Sequence, residues 1–145
     1  MRFWDSSALV PLVVGQPSSA LAESWIAEDD SMVVWTLAEV EVASALWRLE
    51  REGAIDERSA AGAEALAGRW IERAHVVDAV AEVKGLARRL IRVHALRAAD
   101  ALQLGAALLW ADGRSSGAVL HTLDRRLAAA ASREGFEVVP GAYTA

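Results

Sequence analysis

Residues 32–53 read MVVWTLAEVEVASALWRLEREG, in which four apolar residues are followed by a stretch with helical periodicity. The run Met32–Trp35 predicts a short buried strand, because it is apolar without polar alternation. Thr36 begins the predicted helix, which reaches about Glu52 and ends at Gly53. The stretch therefore indicates one strand–helix unit of an α/β fold.

The rest of the chain repeats this alternation of short apolar runs and helical segments. The further predicted strands are Arg2–Trp4, Val119–Thr122 and Phe136–Val139, with His75–Val77 as a strand or an extended turn. The further predicted helices are Ser6–Val14, a segment that starts at Pro17, a segment capped by Asp56 that reaches Arg73, Ala79–Val93, Ala98–Trp110, and a segment from Asp124 to Gly135. Apolar strands separated by helices favour a mostly parallel sheet of about four to five strands, covered on both faces. We therefore expect a single three-layer α/β domain spanning residues 1–145.

Composition limits the classes of protein that the chain can belong to. Its 145 residues suit one globular domain with a buried core. The absence of cysteine excludes disulfides, zinc–thiolate sites and a cysteine nucleophile. The amino-terminal stretch MRFWDSSALVPLVVGQ carries a charge at Asp5 and no cleavage pattern after a long apolar run. We therefore expect neither a signal peptide nor a transmembrane helix, and a cytoplasmic protein.

The net charge bears on binding to nucleic acids. The chain carries a formal charge of −5, whereas most nucleic-acid-binding domains are basic. Fourteen of its 15 basic residues are arginines, whose planar guanidinium groups bind phosphate better than lysine does. Part of the acidic excess would belong to a metal site, where a bound cation reverses the local sign of charge.

Two aspartates follow predicted strands. Asp5 comes directly after the first strand, and Asp124 comes after the strand that ends at Thr122. In parallel α/β sheets, ligands bind beyond the carboxyl ends of the strands, so both positions suit a functional site. Each aspartate also suits the N-cap of the following helix. The two interpretations are compatible, because one carboxylate oxygen can cap a helix while the other binds a metal.

Three further acids lie on predicted helices. Glu39 completes a T-x-x-E capping box with Thr36, which gives it a structural role. Glu41 has no cation one helical turn away, so it either lies at an exposed helix edge or has a distant partner such as a metal ion. Asp100 stands in the first turn of an apolar helix, where the helix dipole favours it, and where a buried functional role is equally consistent.

Four segments together resemble the PIN-domain family and, within it, the VapC-type toxins. They are Trp4–Val10, Glu41–Leu46, Leu96–Leu104 and Thr122–Leu127. Their order, their spacing and the total length fit that family from end to end. Trp4 is a departure, because the family usually has a smaller or aliphatic residue there.

The resemblance implies a site, a cofactor and partners. The acidic site falls on Asp5, Glu41, Asp100 and Asp124, and the family's small polar residue falls on Ser7. It implies a PIN-like fold and an endoribonuclease that depends on Mg²⁺ or Mn²⁺. It also implies a cognate antitoxin and a homodimer.

Individual roles follow from this site. Asp5, Asp100 and Asp124 are expected to bind the metal directly, and Glu41 either binds it or orients the attacking water. Ser7 and Thr122 are expected to support a ligand or contact phosphate.

Two rival functions and one open question accompany this interpretation. The chain could be a PIN-like module that binds RNA or protein without cutting, or a phosphatase-like hydrolase with Asp5 as nucleophile. Against the phosphatase-like hydrolase, Asp5-Ser6-Ser7 lacks the second Asp of a D-x-D loop.

Three tryptophans have two possible positions. Trp25, Trp47 and Trp70 either line a groove for an antitoxin helix or belong to the core.

Overall fold

The structure, a computed structural model, describes residues 1–141 and contains one five-stranded sheet. All the strand pairs are parallel, and the strand order is β3-β2-β1-β4-β5. The strands are β1 (Arg2–Trp4), β2 (Met32–Trp35), β3 (His75–Val77), β4 (Val119–His121) and β5 (Glu137–Val139). The predicted parallel α/β sheet is therefore confirmed, and His75–Val77 is a strand.

Seven helices connect the strands within the described part of the chain. They are α1 (Ser6–Val13), α2 (Ser19–Glu28), α3 (Ala38–Arg51), α4 (Glu57–Arg73), α5 (Val80–Val93), α6 (Ala98–Ala111) and α7 (Arg125–Arg133). None of these helices is long and apolar enough to cross a membrane.

The two faces of the sheet have separate cores, which gives the predicted three layers. Successive side chains of a strand point to opposite faces. Phe3 and Val33 accordingly pack against residues of α5, α6 and α7. Trp4 and Val34 pack against residues of α1 to α4. Both faces bury apolar side chains, which explains why the strands lack polar alternation.

The strand order reverses direction beside β1. Successive strands are added on one side from β1 to β3, and β4 and β5 then lie on the other side of β1. Such a switch point leaves a crevice at the carboxyl ends of the two central strands. Asp5 follows β1, and Thr122 follows β4, at this position.

Two predicted helix starts are wrong. Helix α3 begins at Ala38 with Leu37 as its N-cap and no side-chain cap, so the capping box of Thr36 and Glu39 does not form. The backbone N–H of Thr36 instead donates to the carbonyl of Val77 at 3.0 Å, which extends the pairing of β2 with β3. Helix α2 begins at Ser19, after a turn, and not at Pro17.

Candidate active site

The four predicted acids line one cleft beyond the carboxyl ends of β1 and β4. Asp5, Glu41, Asp100 and Asp124 come from the β1–α1 junction, α3, α6 and the start of α7. Ser6 and Ser7 contribute to the same wall. The fold thus brings together side chains that are up to 119 positions apart in the sequence.

Asp5 is almost fully buried and both caps a helix and faces the cleft. It is the N-cap of α1, and its Oδ2 accepts a hydrogen bond from the backbone N–H of Ser7 at 3.3 Å. The same oxygen accepts from the hydroxyl of Ser7 and from that of Thr122, the latter at 2.9 Å. Both sequence interpretations of Asp5, a cap and a site residue, are therefore compatible with its geometry.

Ser7 and Thr122 connect β1 to the loop after β4. Ser7 Oγ accepts from the backbone N–H of Leu123 at 2.9 Å, and Thr122 Oγ1 accepts from that of Asp124 at 3.0 Å. Each hydroxyl then donates its proton to Asp5. The two side chains fix the orientation of the Asp5 carboxylate and tie it to the loop that carries Asp124.

Glu41 is held by a buried amide that the sequence interpretation left without a role. Ser6 Oγ donates to Glu41 Oε2 at 3.0 Å, and Gln103 Nε2 lies 3.3 Å from each Glu41 carboxylate oxygen. Gln103 also donates to Ser6 Oγ at 2.7 Å and is fully buried. Glu41 is therefore half-buried with neutral partners, and not at an exposed helix edge.

Asp100 and Asp124 lie at the starts of two helices. Asp100 is in the first turn of α6. Asp124 is the N-cap of α7, and its Oδ1 accepts from the backbone N–H of Leu127 at 2.9 Å. The N-cap interpretation of Asp124 is thus correct, and it coexists with a position in the cleft.

The pKa values of three acids in the cleft are raised, mainly by burial and further by the neighbouring acids. Burial, with Asp124 and Asp5 nearby, raises the pKa of Asp100 to about 6. Burial also raises the pKa of Asp5 above its usual range, against the hydrogen bonds from Ser7 and Thr122. The pKa of Glu41 is raised mainly by burial as well. Ionising Asp5, Glu41 and Asp100 together is therefore unfavourable without a cation.

The chemistry of these side chains fits a hard divalent cation, which takes oxygen ligands. Within residues 1–141, however, no three acidic or imidazole side chains are already arranged to hold one ion. Two of the acids are oriented by hydrogen bonds from uncharged neighbours, and like-charged carboxylates repel each other. The ligand roles of the four acids therefore stay a prediction.

Two kinds of residue at the cleft were missed by sequence reasoning. Gln103 interrupts the apolar face of α6 three positions after Asp100, which was a usable signal for a buried polar partner. Arg48, Arg97 and Arg126 line the adjoining groove, and their three segments of sequence give no sign that they meet.

Comparison with known proteins identifies the family. The sequence model of the PIN domain family matches residues 2–133. The chain belongs to the PIN domain family. Two curated relatives from Mycobacterium tuberculosis are named ribonuclease VapC45 (strain CDC 1551 / Oshkosh) and ribonuclease VapC49 (strain ATCC 25618 / H37Rv). Each is 34% identical over 138 residues, which is 95% of this chain and 94% of the relative.

Two solved structures share the fold. PAE2754 from Pyrobaculum aerophilum has a TM-score of 0.60 at 24% identity and covers 96% of this chain and 89% of its own. VapC20 of M. tuberculosis is described as a toxin that cleaves the sarcin–ricin loop. It has a TM-score of 0.66 at 18% identity, and the match covers 94% of this chain and 96% of VapC20. At these identities the likeness concerns the PIN fold alone.

Proposed function

We propose that this PIN-domain protein is an endoribonuclease that hydrolyses RNA phosphodiester bonds with the help of Mg²⁺ or Mn²⁺. The observation that carries the proposal is the convergence of four acids in one cleft at the switch point of the sheet. The two relatives named as ribonucleases, 34% identical over almost the whole chain, support RNA as the substrate.

Asp5, Asp100 and Asp124 would hold the cation, with Glu41 as a fourth ligand or as the group that orients the attacking water. A bound divalent cation lowers the pKa of a ligating water and neutralises charge on the scissile phosphate. Ser7 and Thr122 keep the Asp5 carboxylate in place by donating to it. Ser6 and Gln103 do the same for Glu41.

Cleavage of a mixed RNA pool with Mg²⁺ or Mn²⁺, and with EDTA in place of the metal, tests the proposal. We expect cleavage by the wild-type protein with metal and none with EDTA. Asp100→Asn is expected to lack activity because it removes a ligand charge. Metal-dependent cleavage that survives in Asp100→Asn would contradict this assignment.

The rival functions give different results in the same assay. A PIN-like module that only binds RNA or protein would show no cleavage under any condition and no rise in melting temperature with Mn²⁺. A phosphatase-like hydrolase would form a phosphorylated Asp5, which mass spectrometry detects after trapping. The crowded position of Asp5 Oδ2, which accepts three hydrogen bonds, disfavours Asp5 as a nucleophile.

We further propose that the protein is the toxin of a type II pair, with a small antitoxin and a homodimeric state. The cleft is strongly negative without metal, so an antitoxin arginine entering it would form charge-assisted hydrogen bonds and block the substrate. Of the two interpretations of the tryptophans, the core is correct for Trp25, which is 3% exposed. Trp47 and Trp70 are half-buried, so they retain some surface for a partner.

Co-purification from the native host tests the partner. We expect a small bound protein whose basic residue lies near Asp5 and Asp100. An active protein that is tolerated when overproduced alone, with no bound partner, would refute the antitoxin while leaving the nuclease intact.

A further inference from the structure

The positive charge of the chain is concentrated in one segment. Residues 83–97 hold five of the 15 basic residues and no acid, although the net charge of the whole chain is −5. Most of this segment belongs to α5, which buries Val83, Ala87 and Leu90 against the sheet. The other side of α5 is exposed. It is therefore a basic surface on an otherwise acidic protein.

Three of the basic residues form one row along α5, which we name the α5 stripe. Lys84, Arg88 and Arg92 are spaced four residues apart, and all three are exposed. Residues at this spacing share a helix face and lie about 6 Å apart along the axis, so the row is about 12 Å long. No acid occupies a position three or four residues from any of them. Like charges at this spacing repel each other, and α5 offers no acid that offsets the repulsion.

The helix surface beside the α5 stripe carries little side-chain bulk. Gly85 lies inside α5, where glycine is less favourable than alanine. A Cβ added to Gly85 would meet no atom within 4 Å, so no neighbouring element requires a glycine there. Ala81, one helical turn earlier, is also small and exposed. A large ligand can therefore approach the stripe closely from this side.

We propose that the α5 stripe binds the phosphate backbone of a double-helical RNA segment, outside the cleft that holds the acids. The choice of RNA as the polyanion rests on the proposed nuclease function. Guanidinium groups bind phosphate oxygens through two parallel hydrogen bonds. Helix α5 has no aromatic side chain on which an unpaired base could stack. Duplex RNA is bound mainly through its shape and its phosphates, which need no such side chain.

The acidic cleft gives a separate basic surface a purpose. The carboxylates of the cleft repel phosphate until a cation is bound. Attraction between basic side chains and phosphates supplies most of the sequence-independent affinity of a protein for nucleic acid. The α5 stripe would raise the local concentration of RNA without placing further cations among the acids.

Fluorescence anisotropy of a fluorescein-labelled RNA hairpin in EDTA, at several salt concentrations, tests the stripe without cleavage. Binding to a double strand loses about 0.9 in the slope of log affinity against log salt for each phosphate contact removed. Arg88→Gln/Arg92→Gln should therefore reduce the slope by about 1.8. A single strand of the same length should bind more weakly. An unchanged slope, or equal binding of the two RNA forms, would overturn the proposal.

Gly85 provides a matched pair of variants that removes no side chain. Gly85→Glu places a negative charge three residues before Arg88, in open space, whereas Gly85→Gln adds similar bulk without charge. Both variants should unfold no more easily than the wild type, because Glu and Gln are better helix formers than Gly. Gly85→Glu should bind the hairpin several-fold more weakly than Gly85→Gln. Equal affinities would place the phosphates elsewhere.

A control on α4 removes the same charge from the opposite face of the sheet. Arg58 and Arg69 are exposed on α4, whose Ala63 and Ala67 belong to the core on that face. Arg58→Gln/Arg69→Gln should leave the slope unchanged. If it reduces the slope as much as Arg88→Gln/Arg92→Gln does, the attraction is diffuse and the α5 stripe is not a site.

Cleavage with Mn²⁺ separates this proposal from the nuclease. Arg88→Gln/Arg92→Gln should raise KM several-fold for a hairpin with an unpaired tail, and should leave cleavage of the tail alone unchanged. If the wild-type protein cleaves both RNAs and the variant has the same KM for each, the stripe is wrong and the nuclease stands. If the wild-type protein cleaves neither, while the hairpin binds and the variant loses slope as expected, the nuclease is wrong and the stripe stands.

Discussion

Charged residues have opposite environments at the two ends of the parallel strands. We call the side where the strands begin the amino edge and the side where they end the carboxyl edge. At the amino edge, the N-terminal ammonium group of Met1 contacts Asp29 at 2.6 Å, and Arg2 contacts Glu28 at 3.0 Å. The ammonium group, a backbone N–H from Ser31 and Arg2 hold the pKa of Asp29 below its usual range. At the carboxyl edge, burial and neighbouring acids raise the pKa of Asp100 to about 6.

The difference separates acids that form ion pairs within the chain from acids that form none within the described residues. Asp29 forms ion pairs with cations of the chain itself. Asp5 and Glu41 instead accept hydrogen bonds from neutral donors. Asp100 forms no ion pair within 4.0 Å among the described residues, although Arg97 and Arg126 act on it electrostatically. A fold selected for stability alone would not collect unpaired acids at one place. The acids at the carboxyl edge are consistent with the proposed metal site, and variants at the two edges test that proposal.

The largest expected effect is loss of cleavage on removing one acid from the cleft. Asp5→Asn should lower the rate by about a thousandfold or more, because several kcal/mol of transition-state stabilisation depend on the metal. Asp29→Asn removes the same charge at the amino edge and should leave cleavage unchanged. Initial rates on an RNA pool with Mn²⁺ measure both. Equal rates in the two variants would remove Asp5 from the chemistry.

The second effect concerns the buried amide that holds Glu41. Gln103→Leu should reduce cleavage by about 10–100-fold and raise the Mn²⁺ concentration needed for half-maximal activity, because partners that orient metal ligands have effects of this size. The fully buried Gln103 Oε1 has no hydrogen-bond partner within the described residues, so this amide is not optimised for stability.

A double variant shows whether Gln103 acts through Glu41. Adding Gln103→Leu to Glu41→Gln should cause little further loss if the two residues act as a unit. If the double variant instead loses cleavage activity by the product of the two single losses, Gln103 acts independently of Glu41.

Local patterns in the sequence predicted the layers, whereas the resemblance to the PIN-domain family singled out the four acids together. Apolar runs such as Met32–Trp35 and acids placed after strands are visible without tertiary information. The contact of Gln103 with Ser6 was not predictable, since it joins positions 97 apart in the chain. The capping box failed for a related reason: Thr36 pairs with Val77 of a distant strand, and this outweighs a local preference.

The third and smaller effect is a gain in the free energy of unfolding when the Asp100 carboxyl is removed in the absence of metal. The raised pKa of Asp100 means that the folded state takes up a proton more readily than the unfolded state between about pH 4 and pH 6. The Asp100 carboxyl therefore lowers stability as pH rises through about 6. Asp100→Asn should be more stable than wild type by about 1 kcal/mol near pH 8, after allowance for solvent screening.

Urea denaturation in EDTA measures this difference. The gain from Asp100→Asn should disappear near pH 4, where the wild-type carboxyl is protonated. Asp29→Asn should show the opposite sign near pH 8, because it breaks a favourable surface pair, with a cost below about 1 kcal/mol. If Asp100→Asn has a lower free energy of unfolding than the wild type near pH 8, the ionised Asp100 carboxylate does not destabilise the fold.

The smallest expected effect separates two glutamates on the same helix. Glu39 is exposed and α3 has no side-chain cap, whereas Glu41 lines the cleft. Glu39→Gln should change neither cleavage nor, beyond about 0.5 kcal/mol, the free energy of unfolding, as for most surface substitutions. Glu39→Ala tests the cap more severely, since alanine cannot accept or donate the hydrogen bond of a capping box. Both variants should unfold like the wild type, while Glu41→Gln, two positions along, should lose activity. A clear destabilisation by Glu39→Ala that Glu39→Gln lacks would mean that the capping box forms in solution, and that α3 begins earlier than Ala38.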